Sequence, residues 1–399
     1  MGDAPCLSTN VTYRVDIPET LGFIEPLDKP LQFCYHVIVP DNDNSIHSKE
    51  SLRENMVSKR TTIKQVAKAA GVSTQTVSRV INDRPDVAPD TRLRIQQVIE
   101  ELGYQPSELA RSLIQRRSYT VGVVTAGLKF IGPSRTLNGI TTKAEELGYA
   151  LLLKELPSFK TDDIRSLIQF LLARHIDGIL WAVPEIGDNR KWVETGLQRI
   201  PVPIIFIAMQ THPGISMVNV DNLHGGRLAT RHLLELGRQH IGHISGPLDW
   251  WEARQRKQAW QETLVAAGRT VSEEHCAEGN WSSSSGEAAF LQLQKSYPEM
   301  DAVFVANDQM ALGALQLANR QGLRIPQDLA VVGFDNIAES AYFYPALTTI
   351  HQNQHELGCL ALQELVNRIE ATYAGDQSIQ PKSFLLTPEL IVRESSVVR

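Results

Sequence analysis

Apolar positions fall at helical spacing between Thr62 and Leu102 and in short continuous runs after Tyr119, so the chain divides by pattern alone. In the first region Val66, Ala67 and Ala70 share one helical face, with Thr62 placed to cap that helix and Gly71 to end it. Ser73 is placed to cap a second helix that turns Val77, Val80 and Ile81 inward. Pro89 suits the first turn of a third helix, where Ile95, Val98, Ile99 and Leu102 repeat at i, i+3, i+4 and i+7 before Gly103 stops it. The stretch "PSELARSLIQRRS" that follows is helical in composition but too short to be stable alone.

Beyond Tyr119 the runs "TVGVVT", "ALLLKE", "DGILWAV", "PIIFIAM", "ISMVNV", "HIGHIS", "AVFVAN" and "LAVVGF" read as strands. Amphipathic stretches such as "RTLNGITTKAEELGY" and "QMALGALQLANRQGL" lie between them. Near-continuous apolar strands alternating with helices predict parallel sheets covered on both faces. So many strands exceed one comfortable sheet, which predicts two lobes of similar design.

Charge sharpens this division. Residues 1–55 hold 4 Lys/Arg against 9 Asp/Glu, residues 56–118 hold 11 against 6, and residues 119–399 hold 24 against 30. A basic module of about sixty residues is thus enclosed by acidic segments in a chain of net charge −6. Residues 1–55 show no sustained period and are loop-like in their Pro, Asp, Asn and Ser content. They are expected to be a spurious extension ahead of a true start at Met56, or a disordered arm. No apolar run approaches the roughly 20 residues that span a bilayer, and the first residues do not read as a secretory signal. Cys6, Cys34, Cys276 and Cys359 form no CxxC pair, as expected of free thiols in a cytoplasmic protein.

The basic module has the composition of a helix–turn–helix. Its second helix would offer Thr74 and Gln75, with Arg79 one turn beyond Gln75, to the base edges of a major groove. Ser73, Thr76 and Ser78 are placed to reach phosphates, and Lys59, Arg60 and Lys64 add charge near the backbone. A plain helical hairpin on a globular enzyme is the alternative. No GxSxG, HExxH, Walker or GxGxxG motif supports an enzyme, and the eleven His show no metal-ligand spacing. His240 and His243, in "HIGH", are expected to be structural. No metal and no cofactor are expected.

"TIKQVAKAAGVSTQTVSRVIN" closely resembles the DNA-binding headpiece of the lactose-repressor (LacI/GalR) family of bacterial transcription regulators. The likeness runs from about residue 58 to 397 and is nearest in its motifs to the lactose repressor. It implies that Thr74, Gln75 and Arg79 read bases and that Tyr104 contacts DNA. It also implies that Ala110 and Leu113 enter the minor groove, Leu113 as the wedge that unstacks a base step. Glu108, an acid in the hinge, departs from the family pattern.

The predicted lobes resemble the periplasmic sugar-binding fold, in which a ligand lies beyond the carboxyl ends of the strands. On the strand reading Asn307 and Asp308 follow "AVFVA", Asp335 follows "LAVVGF", and Arg254 begins a helix. Trp281 is suited to stack on a sugar while Asp335 and Arg254 bond hydroxyls. Taken singly, each fits equally a core Trp, a helix-capping Asp or a surface Arg. The resemblance implies effector contacts at Arg254, Trp281, Asn307, Asp335 and Gln352, and an apolar wall at Phe130 and Pro133. Ala126 and Ala208 stand where the lactose repressor has a pocket Ser and Asp, which argues against an identical inducer.

The expected architecture is α + α/β. Residues 56–104 form a three-helix headpiece, 105–118 a hinge helix and linker, and 119–399 a two-lobed core of two doubly wound parallel sheets. The N-lobe is expected at about 119–219 and 352–381, and the C-lobe at about 220–351 and 382–399. The expected function is a homodimeric repressor that binds a near-palindromic operator in double-stranded DNA and is controlled by a small sugar, a galactoside-like one favoured. The alternatives are a non-galactoside sugar or a purine acting as co-repressor, and, further off, a sugar-transport binding protein. The chain ends at "LIVRESSVVR" without a leucine-heptad helix, so a dimer rather than a tetramer is expected.

Overall fold

A computed structural model describes residues 61–105, 117–156, 164–186, 200–376, 378 and 380–398. The chain separates into two compact units that meet between Tyr104 and Gln105.

In the first unit, α1 (Ile63–Ala70), α2 (Thr74–Ile81) and α3 (Pro89–Glu101) enclose a core of Val66, Ala67, Ala70, Val77, Val80 and Ile95. Leu102, expected on that face, is 40% exposed because it is the residue that ends α3. The start of α1 is fixed by Gln65, whose Oε1 accepts from the Thr62 backbone N–H at 2.7 Å and from its hydroxyl at 3.0 Å.

The second unit holds two six-stranded sheets. In the first the order is β11-β5-β4-β3-β1-β2, where β1 is Thr120–Ala126, β2 Ala150–Leu156, β3 Gly178–Ala182, β4 Ile204–Ile207, β5 Met217–Val220 and β11 Ser383–Leu386. All of its pairings are parallel. In the second the order is β12-β10-β9-β8-β6-β7, where β6 is Ile241–Ser245, β7 Cys276–Glu278, β8 Ala302–Val305, β9 Ala330–Asp335, β10 Thr348–His351 and β12 Glu389–Ile391. Only β12 runs antiparallel there, against β10.

Helices α4 (Ile131–Leu147), α5 (Ile164–Leu172) and α10 (Gln354–Tyr373) clothe the first sheet. Helices α6 (Asn222–Glu235), α7 (Trp251–Ala266), α8 (Ser283–Ser296) and α9 (Asp308–Arg320) clothe the second. Burial on both faces explains why β1, β5 and β6 read as unbroken apolar runs.

The chain crosses between the lobes three times: after Val220, between His351 and Gln354, and between Leu386 and Glu389. The last crossing comes later than the expected boundary at 381/382, because Ser383–Leu386 pairs with Met217–Val220 and so completes the first lobe's sheet. Among the described residues no helix is long and apolar enough to cross a membrane.

Candidate functional site

In the first unit the second helix is held at its start by Ser73, whose hydroxyl accepts from the Thr76 backbone N–H at 3.1 Å and lies 2.9 Å from the Thr76 hydroxyl. Ser73 and Thr76 are therefore capping groups in this structure. Ser78 is tied to Asn82, whose Nδ2 donates to the Ser78 carbonyl at 2.8 Å. Thr74, Gln75 and Arg79 are exposed, whereas Val77 and Val80 on the opposite face are buried. Arg79 makes an exposed ion pair with Asp86 at 3.4 Å, a contact that phosphate or a base edge can displace. Tyr104 is partly buried against the three-helix core. Ala110 and Leu113 lie outside the described residues.

Between the two lobes, at the carboxyl ends of the parallel strands, lies a cavity of about 920 Å³ counting its open mouth. Phe130, Pro133, Trp281, Asn307, Asp335 and Gln352, all singled out from the sequence, line it. Arg254 does not. Its Nη1 donates to the carbonyls of Leu248 at 3.0 Å and Asp249 at 2.9 Å, in the segment just before α7. Arg256 lines the cavity in its place. It is 4% exposed, donates to Asn222 Oδ1 at 2.9 Å and to the Ala306 carbonyl, and stacks over the Phe334 ring at 3.7 Å. One of its nitrogens lies 3.9 Å from Asp335 Oδ1. Burial lowers the Arg256 pKa, opposed by the charges of Asp335, Glu252 and Asp308.

Gln352 Nε2 donates to Asp335 Oδ1, across the crossing that leads from β10 to α10. Asp308, behind it, accepts from Thr349 Oγ1 at 2.5 Å and from the Ile337 N–H at 2.9 Å. Burial raises the pKa of both carboxyls, and the neighbouring Asp335 raises Asp308 further. Asn307 caps α9, accepting from the Met310 N–H at 2.8 Å, and its Nδ2 holds the Trp281 carbonyl at 3.0 Å. The bland role of Asn307 is thus real, and it also fixes the backbone that presents Trp281. Ala208 lines the cavity, while Ala126 is packed in the first lobe's core.

Ala208, Trp281 and Asp335 have φ of 61°, 73° and 118°, backbone conformations that side chains other than glycine rarely adopt. Such strain gathers where surrounding structure holds side chains for a ligand. Sequence reasoning missed Arg256, Glu252, Asn222 and Gln354 on this wall. His243, by contrast, is fully buried, stacked on Phe304 at 4.8 Å and Trp260 at 5.4 Å, with its pKa lowered by burial to about 3. Among the described residues no group of three or more His, Cys, Asp or Glu is placed to hold a metal.

Known proteins share both units. Residues 62–107 match the family model for bacterial regulatory proteins of the lacI family, and residues 230–396 match a periplasmic binding protein-like domain. The HTH-type transcriptional repressor PurR of Proteus mirabilis (strain HI4320) is 34% identical over 335 residues, 84% of this chain and 96% of that one. The ribose operon repressor of Escherichia coli (strain K12) is 35% identical over 337 residues, 84% of this chain and 99% of that one. Among solved structures, the lac repressor dimer bound to operator and the anti-inducer ONPF superposes with a TM-score of 0.76 at 31% identity. That likeness covers 85% of this chain and 100% of the other. An exposed reading helix in one unit, a polar cavity between two lobes in the other, and these likenesses converge: the chain belongs to the lacI family of bacterial regulatory proteins, DNA-binding regulators of transcription.

Proposed function

We propose that the protein is a homodimeric repressor in the cytoplasm whose operator affinity is set by a small sugar bound between the core lobes. The observation that carries this reading is the cavity wall, where Arg256, Asp335 and Gln352 form one polar network beside the ring of Trp281. Fixed donors and acceptors beside an aromatic face suit a hydroxylated ring. The relatives support it: one is named a ribose operon repressor, and a further solved structure is of the regulator CelR with cellobiose, with a TM-score of 0.63 at 32% identity and covering 84% of this chain. A planar purine is the second reading, favoured by the edge-on pair of Trp250 and Trp281 with ring centroids 5.8 Å apart.

Two headpieces of a dimer would read the half-sites of a near-palindromic operator through Thr74, Gln75 and Arg79. Ala110 and Leu113 would enter the minor groove between them. The first lobe offers a rigid path from effector to linker. The start of α4 and the start of α10 both line the cavity, through Pro133 and Thr136 and through Gln354 and Leu357. A Cβ on Gly139 would run into the His355 carbonyl, and one on Gly358 into the Thr136 carbonyl, so the two helices touch backbone to backbone. Their other ends meet at Arg117, near the end of the expected linker. Arg117 donates to Glu370 Oε2 at 3.0 Å and to the Tyr149 hydroxyl, and lies 4.2 Å from the centroid of the Tyr119 ring.

Effector binding would move the linker only if the effector holds the two lobe arrangements with different affinity. A thermal-shift screen of mono- and disaccharides beside nucleobases tests this. A sugar that raises the melting temperature and changes operator affinity is the expected result, and a response to nucleobases alone would contradict it.

A further inference from the structure

The cavity holds an acid that no cation pairs among the described residues. Glu252, in the first turn of α7, lines the cavity, and its Oε2 is buried without a hydrogen-bond partner among those residues. Arg254 spends a nitrogen on two backbone carbonyls. Arg256 is engaged with Asn222, the Ala306 carbonyl and the Phe334 ring, near Asp335. Burial pushes the Glu252 pKa up and the neighbouring Glu185 adds to the rise, opposed by a hydrogen bond from its own backbone N–H and by the charges of Arg256 and Arg254. Glu185 is itself buried in the first lobe, accepting from the Gln210 N–H at 3.1 Å and lying 3.4 Å from His212.

Two further polar atoms of the same cavity have no hydrogen-bond partner among the described residues: the Nε1–H of Trp281, a residue only 8% exposed, and Oε1 of Gln354 at the start of α10. Trp281 and Trp250 meet edge to face, and Phe130 meets Trp250 at 6.2 Å, so the acid shares its cavity with three aromatic rings. A buried carboxylate is costly unless a counter-charge reaches it. Aromatic rings around a carboxylate are the surroundings that bind an ammonium, through its charge and through cation–π attraction.

We propose that the natural effector is a hydroxylated ring carrying a protonated amine, an amino sugar in chemical class, with the ammonium against Glu252 and the rings of Trp250, Trp281 and Phe130. Its hydroxyls bond the Asp335–Arg256 side of the cavity, and an oxygen of the ligand accepts from Trp281 Nε1–H. Glu252 is thereby the specificity-determining residue, since a neutral hexose leaves its charge uncompensated and a phosphorylated one opposes it. This rests on the sugar reading of the cavity given above.

The test is calorimetric titration of the full chain with galactosamine, glucosamine, their N-acetyl forms, and galactose and glucose. At least one hexosamine is expected to bind tenfold or more tightly than both its parent hexose and its N-acetyl form. Glu252→Gln should bring that ratio close to one while operator binding and the melting curve stay unchanged, and Glu252→Asp should keep a preference for the amine. A parent hexose that binds as tightly as its hexosamine, or a Glu252→Gln protein that keeps the preference, overturns the proposal and leaves the sugar reading standing. A protein that binds operator but none of the six sugars overturns the proposal, while the sugar reading itself falls only if the mono- and disaccharide screen also finds no ligand.

Discussion

The helix proposed to read DNA is eight consecutive residues, Thr74–Ile81, whereas the interlobe cavity is drawn from stretches of chain scattered between Phe130 and Leu357. The helix is set by local forces: a cap at Ser73, two buried valines and a rotation that leaves Thr74, Gln75 and Arg79 outward. The cavity is set by sheet register and by three crossings of the chain, none of which is local. The helix should therefore yield to changes in a very small core, and the cavity to changes in how the lobes are held.

The largest effect should come from Ile95→Ala. Removing this fully buried side chain from a core of six buried apolar residues costs about 2–5 kcal/mol, more than so small a unit can lose. Operator binding is expected to vanish while the core melts as before. Operator affinity within twofold of the native protein would show that the units are not independent. Gly358→Ala is the mirror experiment. Its Cβ meets the Thr136 carbonyl, so the core should lose about 1–3 kcal/mol while the headpiece keeps its fold. Calorimetric melting of both variants separates the two transitions.

Arg79→Ala should weaken operator binding by about 1–3 kcal/mol and flatten the preference at one base pair. Because its side chain pairs with the exposed Asp86 alone among the described residues, stability should hardly change. Gel shifts on an operator selected from random duplexes, against single-base variants of it, measure this. Equal loss on every sequence would assign Arg79 to the phosphate backbone.

Much of this was legible in the sequence, and the failures have physical causes. Eight strand-like runs became strands, because burial on both faces leaves an unbroken apolar signature. Strand β10 escaped because two of its three buried residues are threonines, whose hydroxyls are satisfied by Asp308 and the Arg393 carbonyl. Strand β11 escaped because it is a short edge strand, and with it the last lobe crossing.

The Arg254 assignment failed by two residues on a helix, a step that turns a side chain by about 200° and reverses the face it serves. Nothing in "EARQR" tells which Arg faces the cavity until α7 is set against β9 and its Phe334 ring. Glu252 was overlooked for a similar reason, since an acid in a first helical turn reads as a favourable surface charge.

The effect that is smallest at neutral pH concerns His243, which is fully buried in the second lobe. Its folded pKa of about 3 lies below the ordinary 6.5, so the unfolded chain binds more protons between those values. Stability is therefore lost as pH falls from about 6.5 toward 3, with a limiting slope of about 1.4 kcal/mol per pH unit from this group. His243→Phe gives up the bond to the Phe304 carbonyl but should show a shallower acid slope by denaturant melts. An unchanged slope would mean that His243 is protonated in the folded protein.

The central claim is that the cavity controls DNA binding through contacts the headpiece does not share. Asp335→Asn tests it most directly, because this carboxylate joins the Gln352 and Arg256 contacts at the lobe crossing. The measurement is an operator titration of native and Asp335→Asn proteins, with and without the sugar that most raises the native melting temperature. The expected result is a folded variant that binds operator as the native protein does and has lost most of the response to the sugar. Coupling of this kind is typically about 1–3 kcal/mol, within reach of one charge-assisted hydrogen bond. A variant that melts normally and still responds to the sugar in full would contradict it.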